Sequence, residues 1–255
     1  MKVKSYITEI EEALKPTALV DKDKAQKLKK YIGTQLIVLG NLAKEQSKIH
    51  KIGFSFSSEN SETIYQLYSE IYKLSNVFEV KNQAFLFLDK HFSTFSPEVH
   101  LNILPDWIKH VDNWAHSDSL SKFLTRLVEN NHTKNKMINI LNTWNASENE
   151  WERRQSLILL YYYARTKTEH IEFDLGRRLI TTLLKDNSYY VQKAVGWSLR
   201  ESYNVYPSET YELIQQHIHT ISATAFATCT EKMSSSQKEL LKQLRKNRKS
   251  LQYNR

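Results

Sequence analysis

The sequence feature that most restricts the fold of this chain is a repeat of aromatic residues near the starts of helical segments. The repeat is weak in sequence similarity but regular in spacing. Trp114, Trp151 and Tyr189 are spaced 37 and 38 residues apart. An apolar segment with helical spacing follows each of them, namely Leu120–Val128, Leu157–Tyr163 and Val191–Leu199. In the first two units a second helical pattern comes next, Met137–Trp144 and Leu175–Leu184. The repeating unit is therefore predicted to be a pair of helices.

The composition agrees with a helical chain. Only 5 glycines and 4 prolines occur among 255 residues, and no recurrent Asn-Gly or Asp-Gly hairpin signal is present. We therefore predict an all-α protein of about a dozen helices, an estimate that follows from two helices per repeat. A period near 40 residues is typical of HEAT-like repeats that stack into a curved, right-handed solenoid. We expect residues 1–255 to form one such domain.

The remaining helical segments are predicted from apolar spacing and from helix-terminal residues. A second helix is expected from about Lys24 to Leu39, with Gly40 as its C-cap. Ser236 and Glu239 form a capping-box pattern that would open a basic C-terminal tail at about 236–255. Other helices are expected at Met1–Leu14, at two places between Ser61 and Phe92, between Pro97 and Trp107, and at Ser208–His219.

Charge and motif content exclude several classes of function. The net charge of +8 and the pI of about 9.3 favour a polyanionic partner. A single cysteine, Cys229, excludes an internal disulfide and a cysteine-based zinc finger. No secretory signal, long apolar span, phosphate loop or metalloprotease motif occurs, and His217 and His219 would lie on different faces of a helix. We expect a cytoplasmic protein with no cofactor and no metal.

Two predicted helix faces combine cations with a large aromatic residue. Lys193, Trp197 and Arg200 lie at i, i+4 and i+7, and Gly196 between them suggests a close backbone approach from another element. Lys24, Lys27 and Tyr31 repeat the pattern near the N-terminus. Such faces suit an anionic partner with a flat surface. The alternatives are a core Trp197 with cations extended around it, and a half-buried Tyr31.

In a solenoid, the first helix of each repeat would line a common concave groove. We expect that groove to contain Trp114 with Asp118, Arg154, and Lys193 with Trp197 and Arg200. Two simpler interpretations stay open. Asp118 follows Ser117 near a helix start, where an acid often serves as a cap or first-turn residue. A run of charged residues at a terminus, such as the basic tail, is typical of a solvated or frayed segment.

Three motifs resemble a known family. They are residues 113–119 (NWAHSDS), 149–154 (NEWERR) and 191–201 (VQKAVGWSLRE). Together with Lys24-Ala25, Tyr31 and Leu39-Gly40, they are similar to the AlkD family of bacterial alkylpurine DNA glycosylases. The similarity runs from about Lys24 to about Gln215, and the last motif is the most specific.

The resemblance implies a role for each matching residue. Asp118 corresponds to the family's catalytic carboxylate, and Trp114 and Trp197 to the tryptophans that flank the lesion nucleotide. The residues that would contact DNA are Tyr31, Arg154 and Arg200. Lys193 is added to them because it lies on the same predicted helix face as Arg200. The implied activity is hydrolysis of the N-glycosidic bond of cationic N3- or N7-alkylpurines in duplex DNA, by a monomer, without turning the base into a tight pocket.

The sequence departs from the family pattern at two places. His116-Ser117 replaces a bulkier acidic and apolar pair, and Tyr162 stands where a lysine is expected. Two other classes of protein therefore stay open. A non-catalytic HEAT-like binder of bent, branched or damaged DNA would use the same cations without needing Asp118. A helical scaffold for protein partners would depend little on the groove tryptophans.

Overall fold

The computed structural model describes residues 2–17, 22–162, 164–167 and 170–253. Within these ranges it contains fourteen α-helices and four short 3-10 turns, and its extended pairing is limited to one isolated bridge between Ile37 and Val77. The all-α prediction is confirmed. No helix in the described ranges combines the length and the apolar character needed to cross a membrane.

The chain divides into two compact units, residues 1–123 and residues 124–255. The first unit holds six helices and the beginning of a seventh, which are α1 Lys2–Leu14, α2 Lys22–Ile32, α3 Ala43–Ile52, α4 Ser61–Leu74, α5 Phe78–His91, α6 Pro97–Trp107 and α7 Trp114–Glu129. The second unit holds the rest of α7 and seven further helices, α8 Lys134–Asn145, α9 Glu150–Ile158, α10 Phe173–Thr182, α11 Tyr189–Val205, α12 Pro207–Gln216, α13 Ala223–Cys229 and α14 Ser235–Tyr253.

The predicted repeat is visible in how the first helix of each pair begins. Asn113 and Asn149 stand directly before α7 and α9, and each side chain accepts a hydrogen bond from a first-turn backbone N–H. Ser188 does the same for α11. These polar caps satisfy amide donors that have no partner inside the helix. The three helices therefore begin 36 and 39 residues apart, close to the spacing of the aromatic residues.

The prediction of a helix from Lys24 to Leu39 is wrong at its end. The helix α2 stops at Ile32, where Gly33 adopts a positive φ of 70° and its N–H bonds the Lys29 carbonyl. The segment beyond it is extended because Glu79 accepts hydrogen bonds from the backbone N–H groups of Leu39 and Gly40. Gly40, with φ 85°, lies in this non-helical segment and is not the C-cap of α2.

Helix α11 is the central element of the second unit and packs against α9, α10, α12 and α13. The expected close approach at Gly196 is confirmed. A Cβ atom built there would lie 2.7 Å from the Ala225 carbonyl oxygen and 2.9 Å from the Ala225 Cα. Glycine is therefore required because the backbone of α13 lies directly against α11.

The predicted capping box of the C-terminal helix is displaced by two residues. Ser234 stands before α14, and its Oγ accepts a hydrogen bond from Gln237 N while Gln237 Oε1 accepts one from Ser234 N. The pair is therefore Ser234 and Gln237, not Ser236 and Glu239. Residues 254–255 of the predicted tail lie outside the described residues, as do the side chains of Arg248 and Lys249.

Candidate functional site

Tyr31 and Trp114 are brought together in the first unit. The Trp114 indole N–H donates a 2.9 Å hydrogen bond to the Tyr31 carbonyl oxygen, and the two rings meet edge to face at 5.4 Å between centroids. Tyr31 is 70% exposed, so the alternative of a half-buried tyrosine is wrong. Trp114 is half-buried. The pair presents aromatic surface at the start of α7.

Asp112 holds the segment that carries Tyr31. Its carboxylate accepts hydrogen bonds from the Thr34 hydroxyl at 2.7 and 2.8 Å and from Gln35 N at 2.8 Å. Burial opposes ionisation, but the hydrogen bonds from Asn113, Thr34 and Gln35 outweigh it and lower the pKa of Asp112 below its usual range. Asp112 is therefore ionised at neutral pH and fixes the end of α2 next to α7.

Asp118 lies one turn inside α7, on the same side of the helix as Trp114, because the two residues are related as i and i+4. The first turn of α7 contains no acidic residue. The cap is Asn113, whose Oδ1 accepts a 2.8 Å hydrogen bond from His116 N. The interpretation of Asp118 as a cap or first-turn acid is therefore wrong.

His116, one of the departures from the family pattern, is fully buried behind this face. Its ring stacks on Phe78 at 4.4 Å, and its two nitrogens contact the side-chain amides of Asn113 and Asn82. Burial, reinforced by the nearby charge of Lys81, lowers the pKa of His116 to about 3. The imidazole is thus a neutral packing group that accepts from Asn113 and donates to Asn82.

Trp197, in the second unit, is half-buried and is not a core residue. Its ring lies 6.3 Å from that of Tyr162, and the Arg200 guanidinium carbon lies 6.0 Å from the indole centroid. The expected aromatic and cationic face of α11 is therefore present. Tyr162, which replaces the expected lysine, adds aromatic surface where the family pattern has a charge.

Arg200 is held by two carboxylates. Its Nε and Nη2 both lie 2.9 Å from Glu201 Oε1, and its Nη1 donates a 2.7 Å hydrogen bond to Glu231 Oε2. The Glu201 side chain is buried, at 7% exposure, whereas that of Glu231 is 49% exposed. Glu201 thus orients the guanidinium, while Glu231 occupies its outer nitrogen.

The other two cations differ from one another in exposure. Lys193 is half-buried, and its Nζ lies 3.5 Å from Thr228 Oγ1. Arg154 is only 7% exposed, and its Nη1 donates a 3.0 Å hydrogen bond to the Tyr190 carbonyl oxygen. Arg154 therefore links α9 to the start of α11, a structural role that the sequence pattern does not indicate.

Sequence reasoning missed Asp112 and Glu231. An acid directly before Asn113-Trp114 is a recognisable signal of a helix start, but its partner Thr34 lies 78 residues away. Glu231 lies 31 residues from Arg200 and has no local signature. That Trp114, Asp118, Arg154, Lys193, Trp197 and Arg200 line one groove stays a prediction. Within the described ranges, no three His, Cys, Asp or Glu side chains are grouped as metal ligands would be.

The protein belongs to the class of all-α proteins. Its helices α7, α9 and α11 carry the aromatic, acidic and basic residues described above. A family model described as DNA alkylation repair enzyme matches residues 10–233. This match covers most of the chain. The protein therefore belongs to the DNA alkylation repair enzyme family.

A solved structure has the same fold. A structure described as a predicted DNA alkylation repair enzyme from Enterococcus faecalis is 21% identical, with a TM-score of 0.67, and the alignment covers 84% of this chain and 97% of that one. AlkD2 from Streptococcus mutans is also 21% identical, with a TM-score of 0.48 and coverage of 88% and 96%. No match to a curated protein was found.

Proposed function

We propose that this protein is a DNA glycosylase that hydrolyses the N-glycosidic bond of cationic N3- or N7-alkylpurines in duplex DNA. Membership of a DNA alkylation repair family supplies the general role. The observation that carries the finer proposal is the position of Asp118, one helical turn after Trp114 on the same side of α7, with the capping role already taken by Asn113. The capping role therefore does not account for Asp118, and the family resemblance assigns this carboxylate to the chemical step.

The chemistry needs only one carboxylate. An N-alkylated purine already carries a positive charge, so the breaking bond returns its electron pair to the base nitrogen without a general acid. The deoxyribose becomes oxocarbenium-like, and Asp118 would stabilise that charge and orient the attacking water. The water oxygen bonds C1′ and its proton passes to the carboxylate or to solvent. The Trp114 indole face would attract the same positive charge.

The second unit supports the DNA-binding part of the proposal. Lys193 and Arg200 flank the half-buried Trp197 on α11, as a phosphate-binding face requires. Glu201 orients the Arg200 guanidinium, which reduces the conformational entropy lost on binding. A phosphate would replace Glu231, whose carboxylate now bonds Nη1. Arg154, being buried, would act by positioning the start of α11.

A non-catalytic binder of bent, branched or damaged DNA is the second candidate. The specific observation in its favour is Tyr162 beside Trp197, because an aromatic residue there adds stacking surface and removes a cation. This function would use the basic face of α11 and would leave Asp118 without a role.

Release of free 7-methylguanine from methylated duplex DNA separates the two functions. We expect the protein to release 7-methylguanine at a rate well above spontaneous depurination. Tight binding of the same duplex without release would contradict the glycosylase and favour the non-catalytic binder.

A further inference from the structure

The basic C-terminal segment is a helix that packs on the second unit, which argues against a solvated tail over the residues described. Leu241 is fully buried. The Arg245 guanidinium carbon lies 4.9 Å from the centroid of the Phe226 ring, and Nη1 donates a 3.3 Å hydrogen bond to the Ile218 carbonyl. These contacts fix one side of α14 and therefore determine which side faces solvent.

The outward side of α14 is basic. The helix contains one acidic residue, Glu239, and six cations, namely Lys238, Lys242, Arg245, Lys246, Arg248 and Lys249. Lys242 and Lys246 are exposed. With Lys238 they are spaced by four residues, so the three lie along one side of the helix. We call these three residues the lysine stripe.

The lysine stripe begins beside the basic face of α11. Lys238 Nζ donates a 3.2 Å hydrogen bond to the Glu231 carbonyl, and the Glu231 carboxylate bonds Arg200. The Tyr203 hydroxyl, also on α11, donates a 3.1 Å hydrogen bond to Gln237 Oε1. The stripe therefore begins close to the Arg200 guanidinium, with Glu231 between the two.

We infer that the lysine stripe is an additional phosphate-binding surface that contacts the backbone of duplex DNA outside the lesion. The inference rests on the proposed function. Eight residues of helix extend about 12 Å, the axial length of roughly three to four phosphates of one strand. Lysine ammonium groups act as point charges and suit phosphates without reading bases. The stripe would raise affinity for any duplex sequence and leave the chemical step unchanged.

The test compares charge-neutral and charge-conserving variants of the two exposed lysines. The double variant Lys242→Gln/Lys246→Gln removes both charges at solvent-facing positions. Binding of a lesion-free duplex is measured over a range of salt concentrations. We expect the slope of log affinity against log salt to become shallower by about 1.8, since each contact contributes about 0.9. Lys242→Arg/Lys246→Arg should keep the wild-type slope.

The matched control removes two exposed lysines of the same unit outside α14, in Lys136→Gln/Lys185→Gln. This control changes the net charge equally and should shift the slope much less. Equal slopes for the two Gln variants would overturn the inference. If only binding to vesicles containing phosphatidylserine falls in the α14 variant, the stripe serves a membrane surface and the inference is also overturned.

Single-turnover release of 7-methylguanine at saturating duplex separates this inference from the proposed function. The α14 variant should release the base at the wild-type rate. If wild-type protein binds duplex but releases no base, the glycosylase proposal fails while the stripe is still supported by its slope. If wild-type protein binds no duplex at all, both fail.

Discussion

At the residue scale, the pairing of Arg200 with Glu231 predicts that the Glu231 carboxylate competes with DNA phosphates for the Arg200 guanidinium. Glu231→Gln should tighten binding of duplex DNA by about two- to fivefold, because an exposed ion pair contributes up to about 1 kcal/mol. Titration of a labelled duplex at fixed ionic strength measures this. Glu212→Gln, an exposed residue of α12, removes the same charge away from Arg200 and is the control.

A double-mutant cycle then isolates the pair. In an Arg200→Ala background, Glu231→Gln should lose most of its effect, because no guanidinium is left to release. An undiminished gain in affinity in that background would show that Glu231 acts through general repulsion of DNA and does not mask Arg200.

His116 predicts a pH dependence of stability. Its folded-state pKa of about 3 lies below the ordinary value of 6.5, so between these values the unfolded chain binds a proton that the folded protein does not. The free energy of unfolding should therefore fall as the pH is lowered from 6.5 towards 3, by up to about 1.4 kcal/mol per pH unit. Above pH 6.5 this contribution is constant.

Urea denaturation between pH 4.5 and 7.5 measures that slope. His116→Gln should make it shallower, whereas His219→Gln, which changes an exposed histidine, should not. The same slope in wild type and His116→Gln would contradict the assignment of His116 as a buried neutral imidazole.

At the element scale, the contact between α11 and α13 predicts the effect of a single methyl group. In an isolated helix, Gly196→Ala would stabilise by about 1 kcal/mol. Here the added Cβ would lie 2.7 Å from the Ala225 carbonyl oxygen, so the two helices must separate. We expect a net loss of about 1–3 kcal/mol from overpacking, measured by urea denaturation at neutral pH. A gain in stability would contradict the close approach.

Helix existence follows from the sequence better than helix ends do. The apolar spacing of α11 and its glycine predict both a helix and a packed neighbour, and both are confirmed. The sequence places the end of α2 too late because Ile37 and Leu39 continue an apolar pattern. The helix ends at Gly33, and the non-helical segment after it is held by Glu79, about 40 residues away. The sequence does not predict α3 and α13, which are short helices of ten and seven residues.

In the candidate site, too, local relations between residues follow from the sequence and contacts between distant residues do not. The i and i+4 relation of Trp114 and Asp118 is local and can be read from the sequence. The packing of Tyr31 on Trp114 joins residues 83 positions apart, and only the family resemblance brought them together. The pairing of Arg200 with Glu231 was not predictable, because ion pairs between distant exposed residues leave no pattern in a single sequence.

At the scale of the whole molecule, the few helix-breaking residues and the repeat are enough to predict an all-α chain, and the family match adds a role in DNA alkylation repair. In the proposed glycosylase reaction, the chemical step depends on one carboxylate. If Asp118 stabilises the developing sugar cation, its loss should affect the rate of base release and leave folding unchanged, because Asn113 and not Asp118 caps α7.

The most direct measurement is single-turnover release of 7-methylguanine from methylated duplex DNA by wild type and Asp118→Asn, with melting temperatures alongside. Asp174→Asn, an exposed aspartate of α10, is the charge-matched control. We predict that Asp118→Asn binds DNA as tightly as wild type and melts at a similar temperature. Its release rate should fall by about 10²–10³, the loss of about 3–4 kcal/mol of transition-state stabilisation. Equal release by wild type and Asp118→Asn would contradict the catalytic assignment.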